Sequence, residues 1–257
     1  MNDEPTGVTV EPRITDAFRA LVEVLKPNLL VEFGSWEGRS ALGFVQLARE
    51  YGLSTTVICV DTWLGSFEHW ANFLPDSEWS FERLRVVDGE PRVLDTFRAA
   101  IDHHGAAGQV SIVRAPTEFA TNFLRARGVV PDLIYVDADH SYAGVLKDLG
   151  LASSLLGPGG VIAGDDWGWS SVQLAVVRFA RKLEILTSTN GQNFLLLNNG
   201  QGHLIQDFIE HGWTRERRVV IVVRWARRTV FRALRRKTDR LYTALGLGRV
   251  ARWIRRK

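Results

Sequence analysis

Two hydrophobic periods alternate along this chain. Leu29 to Phe33, Thr56 to Val60, Val110 to Val113, Pro131 to Asp137 and Val161 to Ala163 are short apolar runs bounded by turn signals, the form taken by strands covered on both faces. Between them, Ser40 to Ala48, Pro91 to His104, Ala115 to Arg127, Tyr142 to Leu156 and Ser171 to Lys182 space their apolar residues as helices do. Ile14 to Leu25 predicts one more helix, covering an edge of the sheet. Leu183 to Thr187 and Asn193 to Leu197 predict two last strands, joined through Asn190-Gly191, a hairpin signal. Strands alternating with helices predict an α/β fold. It is a doubly wound, mostly parallel sheet with helices on both faces and ligands at the carboxyl ends of the strands.

The pattern fails in two places. Trp63 to Glu90 is rich in aromatic residues, with Trp63, Phe67, Trp70, Phe73 and Trp79, yet shows no clean period. Long irregular stretches inside a compact domain are usually functional, and this many aromatics argues against disorder. After Leu197 the alternation stops. The predicted organisation is therefore an N-terminal segment and cover helix over 1–28, a ligand-binding domain over 29–198 with an insertion at 63–90, and a linker and tail over 199–257.

Candidate chemistry sits where strands end. Leu29 to Phe33 runs into Gly34-Ser-Trp-Glu-Gly38, whose glycines let the backbone turn sharply and a ligand approach, and the N–H groups at the following helix start can receive polar groups. Asp61 ends the second strand, where a nucleoside-binding α/β fold places an acceptor for ribose hydroxyls. The third glycine of the dinucleotide fingerprint is missing, which disfavours a nicotinamide-dependent dehydrogenase. Asp137 ends the fourth strand with Asp139 and His140 just beyond it, and Asp165 and Asp166 end the fifth. Four carboxylates and an imidazole meet in one cleft, where the like charges of the carboxylates repel unless a cation or proton intervenes, and a hard divalent ion such as Mg²⁺ answers that need. The alternative is that Asp139 and Asp166 cap helices and face water while His140 is a hydrogen-bonded turn residue.

Composition adds bounds. The 257 residues suit one α/β domain with additions, and no apolar run reaches the roughly 18 residues of a spanning helix. The acidic, polar start lacks the basic and apolar regions of a signal peptide, and the single cysteine, Cys59, lies within a predicted strand, which suits a reducing, cytoplasmic home. The net charge of +3 hides an asymmetry. Residues 214–257 carry 16 Lys+Arg against 2 Asp+Glu, net +14, and the remaining residues carry 16 against 27, net −11. Within the tail, Val222, Ala226, Val230, Ala233 and Leu234 fall near one helical face, ringed by Arg224, Arg227, Arg228, Arg235 and Arg236. Residues 215–257 thus read as a basic amphipathic anchor for an anionic membrane surface, making the protein peripheral at the inner face. So apolar a stripe suits lipid better than nucleic acid. The other reading has the tail fold back on the acidic body or join two copies of the chain.

The stretches Val-Glu-Phe-Gly-Ser-Trp-Glu-Gly-Arg-Ser, Val-Asp-Thr-Trp-Leu-Gly-Ser, Tyr-Val-Asp-Ala-Asp-His-Ser-Tyr and Pro-Gly-Gly-Val-Ile-Ala-Gly-Asp-Asp, in this order, resemble the class I S-adenosylmethionine-dependent methyltransferases. Within them, the chain resembles the small metal-assisted sugar and antibiotic O-methyltransferases of the macrocin and aminocoumarin type. The resemblance covers roughly residues 29–198. It implies a seven-stranded sheet of order 3-2-1-4-5-7-6. It implies Glu32, Gly34, Ser35, Gly38 and Ser40 around the methionine part of S-adenosylmethionine, Asp61 at the ribose, and Thr62, Trp63, Pro116 and Thr117 bordering ribose and adenine. Asp137 is implied both at the cofactor pocket and, with Asp165 and Asp166, as a ligand of Mg²⁺. Asp139 is implied as the base, with His140 the other candidate. The acceptor expected is a small molecule or glycan, with a phenolic natural product second. The insertion departs in length and composition from the macrocin-like pattern. The rival from another class is a non-catalytic nucleoside-binding scaffold or membrane adaptor.

Overall fold

The computed structural model describes residues 9–74, 77, 79–183 and 185–215, and for Asn199 only the backbone. Residues 9–215 belong to one compact unit. The tail anchor expected over 215–257 lies, beyond Arg215, outside the described residues.

Eight strands form a single sheet: β1 (Leu29–Phe33), β2 (Thr56–Asp61), β3 (Val110–Arg114), β4 (Leu133–Val136), β5 (Val161–Gly164), β6 (Leu186–Thr189), β7 (Phe194–Leu197) and β8 (Thr214–Arg215). Their order is β3-β2-β1-β4-β5-β7-β6-β8. The first five are parallel, and β7, β6 and β8 are antiparallel to their neighbours. This is the seven-strand order expected, with an eighth strand added at the edge.

Residue parity explains the layers. Leu30, Val57, Cys59, Leu133, Tyr135, Val161, Ala163, Leu195 and Leu197 point to one side. There they meet α1 (Asp16–Leu25), α2 (Arg39–Glu50), α4 (Val93–His103) and α8 (Leu204–Glu210). Val31, Phe33, Ile134, Val136 and Ile162, also buried, point to the other side. That side belongs to α5 (Thr117–Ala126), α6 (Tyr142–Leu155) and α7 (Ser170–Lys182), packed in sequence. Burial on both faces is why these strands read as apolar runs and not as alternating ones.

The cover helix α1 lies over the middle of the sheet, not its edge. Thr15 caps it, its hydroxyl accepting from Phe18 N. The Phe18 ring stacks on Phe44 of α2 at 4.3 Å and meets Tyr135 of β4 edge-on at 5.3 Å. A side chain of this kind removed from water contributes about 2–3 kcal/mol. Residues 199–215, expected as a linker, are folded. Phe208 of α8 and Trp213 are buried, and Thr214 Oγ1 donates to Thr189 O beside β8.

Candidate active site

The turn after β1 is fastened from several sides. Gly34 has φ +86°, and a Cβ there would collide with the Asp137 carbonyl, so the turn lies against the loop after β4. Asp61 holds the turn in place. Its Oδ2 accepts from Ser35 N and Trp36 N, both at 2.9 Å, and its Oδ1 accepts from Trp63 N at 2.8 Å. The carboxylate expected at the ribose therefore also pins the turn, with lone pairs to spare for further donors. Trp63, expected beside the adenine, is fully buried edge-on to Phe97, and its indole N–H donates to Trp36 O. Thr62 Oγ1 accepts from Leu64 N. Pro116 is the N-cap of α5, with Thr117 the first helical residue after it, and both follow β3, the neighbour of Asp61 in register. Gly38 is the N-cap of α2, and Ser40 is buried in its first turn.

Glu32 is fully buried at the end of β1. Its Oε2 receives the Cys59 thiol at 3.7 Å; Glu32 Oε1 and Ser35 Oγ are buried without a well-formed hydrogen bond among the described residues, the Ser35 and Ser40 hydroxyls lying near the carboxyl. Burial pushes the Glu32 carboxyl up to about 7, and the nearby Ser35 and Ser40 hydroxyls and Cys59 thiol only partly offset it. Buried polar atoms are normally satisfied, so two orphans side by side suit a polar or cationic ligand group.

At the ends of β4 and β5, donor atoms of Asp137, His140 and Asp166 lie within 4.8 Å of one another. His140 Nε2 pairs with Asp166 Oδ2 at 2.7 Å. Asp165, expected beside Asp137 and Asp166 as a metal ligand, is otherwise engaged: it pairs with Arg13, and its Oδ1 accepts from Asn193 Nδ2 at 3.1 Å. That amide also reaches Tyr135 Oη at 2.9 Å. The group of close donor atoms thus includes His140 and leaves Asp165 outside it. Burial, then the charges of Asp165 and Asp166, push the Asp137 carboxyl well above the usual carboxylate range. Burial draws His140 down, but its bond to Asp166 and the charges of Asp166, Asp139 and Glu68 outweigh this and raise it. Asp139 is exposed, and its Oδ1 accepts from Ser141 N, the cap of α6. A Cβ at Gly144 would run into the Asp139 side chain, so a larger residue there would displace that carboxylate from its present position. Sequence reading missed Arg13 because nothing in its neighbourhood marks it. Its partner lies 152 residues away.

The insertion wraps this cleft. It contains α3 (Phe67–Ala71), a 3₁₀ turn over Phe81–Leu84 and a bridge between Val87 and Glu90. Its anchor is Glu37 of the glycine turn, buried, whose two oxygens receive Arg83 at 2.8 Å and Arg85 at 3.0 Å. A run of rings then crosses the site. Trp36 stacks on His69 at 4.3 Å, His69 lies 5.1 Å from Trp79, and Trp79 lies 5.2 Å from His140. Trp169 completes the group, 5.1 Å from His140 and 6.2 Å from Trp79. Trp36, Trp63 and Asp166 all hold positive φ. Such strain, of order 1–3 kcal/mol per residue, gathers at functional sites.

Two solved structures share the fold. A candidate caffeoyl-CoA O-methyltransferase from Staphylococcus aureus superposes with a TM-score of 0.51 at 13% identity, over 74% of this chain and 86% of its own. The O-methyltransferase TomG from Streptomyces achromogenes, involved in tomaymycin synthesis and bound to S-adenosylmethionine, gives 0.50 at 14% identity, over 71% and 78%. No curated protein sequence matches the chain. A family model described as a methyltransferase domain matches residues 31–167, just over half of the chain, from the glycine turn through the Asp165-Asp166 pair. The chain belongs to that family and is a methyltransferase.

Proposed function

We propose that this chain transfers a methyl group from S-adenosylmethionine to a hydroxyl oxygen of a sugar-containing acceptor. The observation that carries the donor is the pair of unpartnered buried oxygens on Glu32 and Ser35 at the glycine turn. S-adenosylmethionine brings an ammonium and a sulfonium, and a buried carboxylate with an open oxygen complements such charge. In the transfer, the acceptor oxygen forms a bond to the methyl carbon while the carbon–sulfur bond breaks, its electron pair passing to sulfur. The acceptor proton must leave as this happens. The sulfonium is already a good electrophile, so the chain's task is to hold the hydroxyl in line and accept that proton. Asp139 is the group at hand, with His140 the other candidate only when its ring nitrogen is not holding a cation.

The donor set of Asp137, His140 and Asp166 fits a divalent cation better than the set with Asp165, whose carboxylate is taken by Arg13 and Asn193. An ion there would polarise the acceptor hydroxyl and ease its deprotonation. For the basic segment from Arg215 onward we keep the reading of an anionic membrane contact, on the strength of its 16 basic residues and apolar stripe. Among the described residues no helix is long and apolar enough to cross a membrane.

The test is calorimetric titration of the full chain with S-adenosylhomocysteine, with and without divalent cation, and with NAD as control. Micromolar binding of the homocysteine compound and none of NAD is expected. Binding of NAD alone would overturn the assignment.

A further inference from the structure

The insertion and the loop after β5 together bring ring faces to the cleft, beside its carboxylates. Trp79 reaches in from the insertion and Trp169 from the loop after β5, and both flank the His140 ring. The Trp79–His140 planes meet at 80° and the Trp79–Trp169 planes at 69°, so the two indoles form a corner and not a stack. Trp169 is 43% exposed and Trp79 partly so, leaving ring surface open to a ligand. Around this corner stand Asp166, bonded to His140, Asp139, the residue before His140, and Glu68, which precedes His69 in α3 where His69 meets Trp79. Trp79 is not a loose surface residue. His69, buried, lies against it and is itself stacked on Trp36 of the glycine turn. The seat is thus held by the part of the chain that would hold the donor.

A flat aryl ring could meet this corner stacked on one indole and edge-on to the other, but it brings few hydroxyls to the carboxylates beside it. A corner of two indoles offers each face to a different side of a puckered ring, and the carboxylates around it accept hydrogen bonds from ring hydroxyls. We propose that Trp79 and Trp169 are specificity-determining residues that seat a hexopyranoside ring of the acceptor, its C–H groups on the indoles and its hydroxyls toward Asp166, Asp139 and Glu68. This rests on the methyltransferase reading above and names the acceptor ring that the site takes.

The test uses the full chain saturated with S-adenosylhomocysteine and two probes, methyl α-L-rhamnopyranoside and catechol, read by saturation-transfer NMR. Calorimetry with S-adenosylhomocysteine accompanies every variant, so that a failed donor site is seen separately from a failed acceptor seat. Transfer to the pyranoside ring C–H protons is expected in the unaltered chain. It should fall at least fivefold in W79A and in W169A, and recover in part in W79F, with donor affinity within twofold throughout. A pyranoside signal indifferent to both substitutions would overturn the proposal. So would catechol binding with no pyranoside signal, or no signal from either probe on the donor-bound chain.

Discussion

At the scale of single residues the site is a set of charges deprived of water. Glu32 is the clearest case. Its ordinary carboxyl value is near 4.5 and burial raises it to about 7, so the folded chain holds a proton that the unfolded chain releases, and stability is lost as pH rises between those values. A shift of that size corresponds to about 3 kcal/mol at pH 8. E32Q should therefore be about as stable as the unaltered chain at pH 4 and about 2–3 kcal/mol more stable at pH 8, by urea unfolding, while losing most of its affinity for S-adenosylhomocysteine. Equal stability differences at both pH values would show that Glu32 is not carrying the proton. Gly34 sets a steric limit. G34A meets the Asp137 carbonyl from a left-handed backbone, and a loss of more than about 3 kcal/mol, with no donor binding, is expected from thermal unfolding and calorimetry. Two carboxylates and an imidazole suit Mn²⁺ or Co²⁺ better than Mg²⁺, whose preference is for oxygen alone. Thermal shift should rank Mn²⁺ above Mg²⁺, with the shift abolished in D166N and kept in D165N.

At the scale of elements, the insertion behaves as a part of the donor turn that happens to lie some thirty residues further on. Two arginines close on the buried Glu37, and removing one member of such a group costs about 3–5 kcal/mol because the other charges stay half buried. E37Q should release the stretch from Leu64 to Arg85 to limited proteolysis well before the sheet unfolds. Simultaneous loss of both would mean the insertion is not a separable unit. Much of this level was legible in the sequence. Strands buried on both faces appear as apolar runs, so β1 to β5 and the positions of Asp61, Asp137 and Asp165 at their ends followed directly. The inside of the insertion did not, because α3 is only five residues long and a single turn leaves no period to detect. Nor did α8 and β8. The latter is two residues, Thr214 and Arg215, both exposed, and only its pairing to β6 makes it a strand.

At the scale of the whole molecule, the site is assembled from distant parts of the chain, and here sequence reading was weakest. Motifs are local, so they found Asp165 but not the cation that neutralises it. Arg13 lies before α1; burial draws its pKa down, but its bond to Asp165 and the charges of Asp165, Tyr135 and Asp137 outweigh this and lift it further. R13M keeps the bulk and removes the charge. It leaves Asp165 facing Asp137 and Asp166 uncompensated, and should lower stability by about 3 kcal/mol at pH 8 but much less at pH 4, where Asp137, its carboxyl pushed up by burial, holds its proton and no longer repels Asp165. A loss independent of pH would reduce Arg13 to a packing role.

The span between those two residues has a consequence in time. A chain made at about 5–20 residues per second exposes Arg13 roughly 10–30 s before Asp165 exists, and Asn193 follows later still. For most of that wait Phe18 can stack on Phe44 while Tyr135, its other ring partner, has not yet been made. The opening segment must then stay available until the fifth strand has been laid down. In a growing chain Arg13, made long before its partner, is fixed only after it, and until the two meet Asp165 faces Asp137 and Asp166 without its cation.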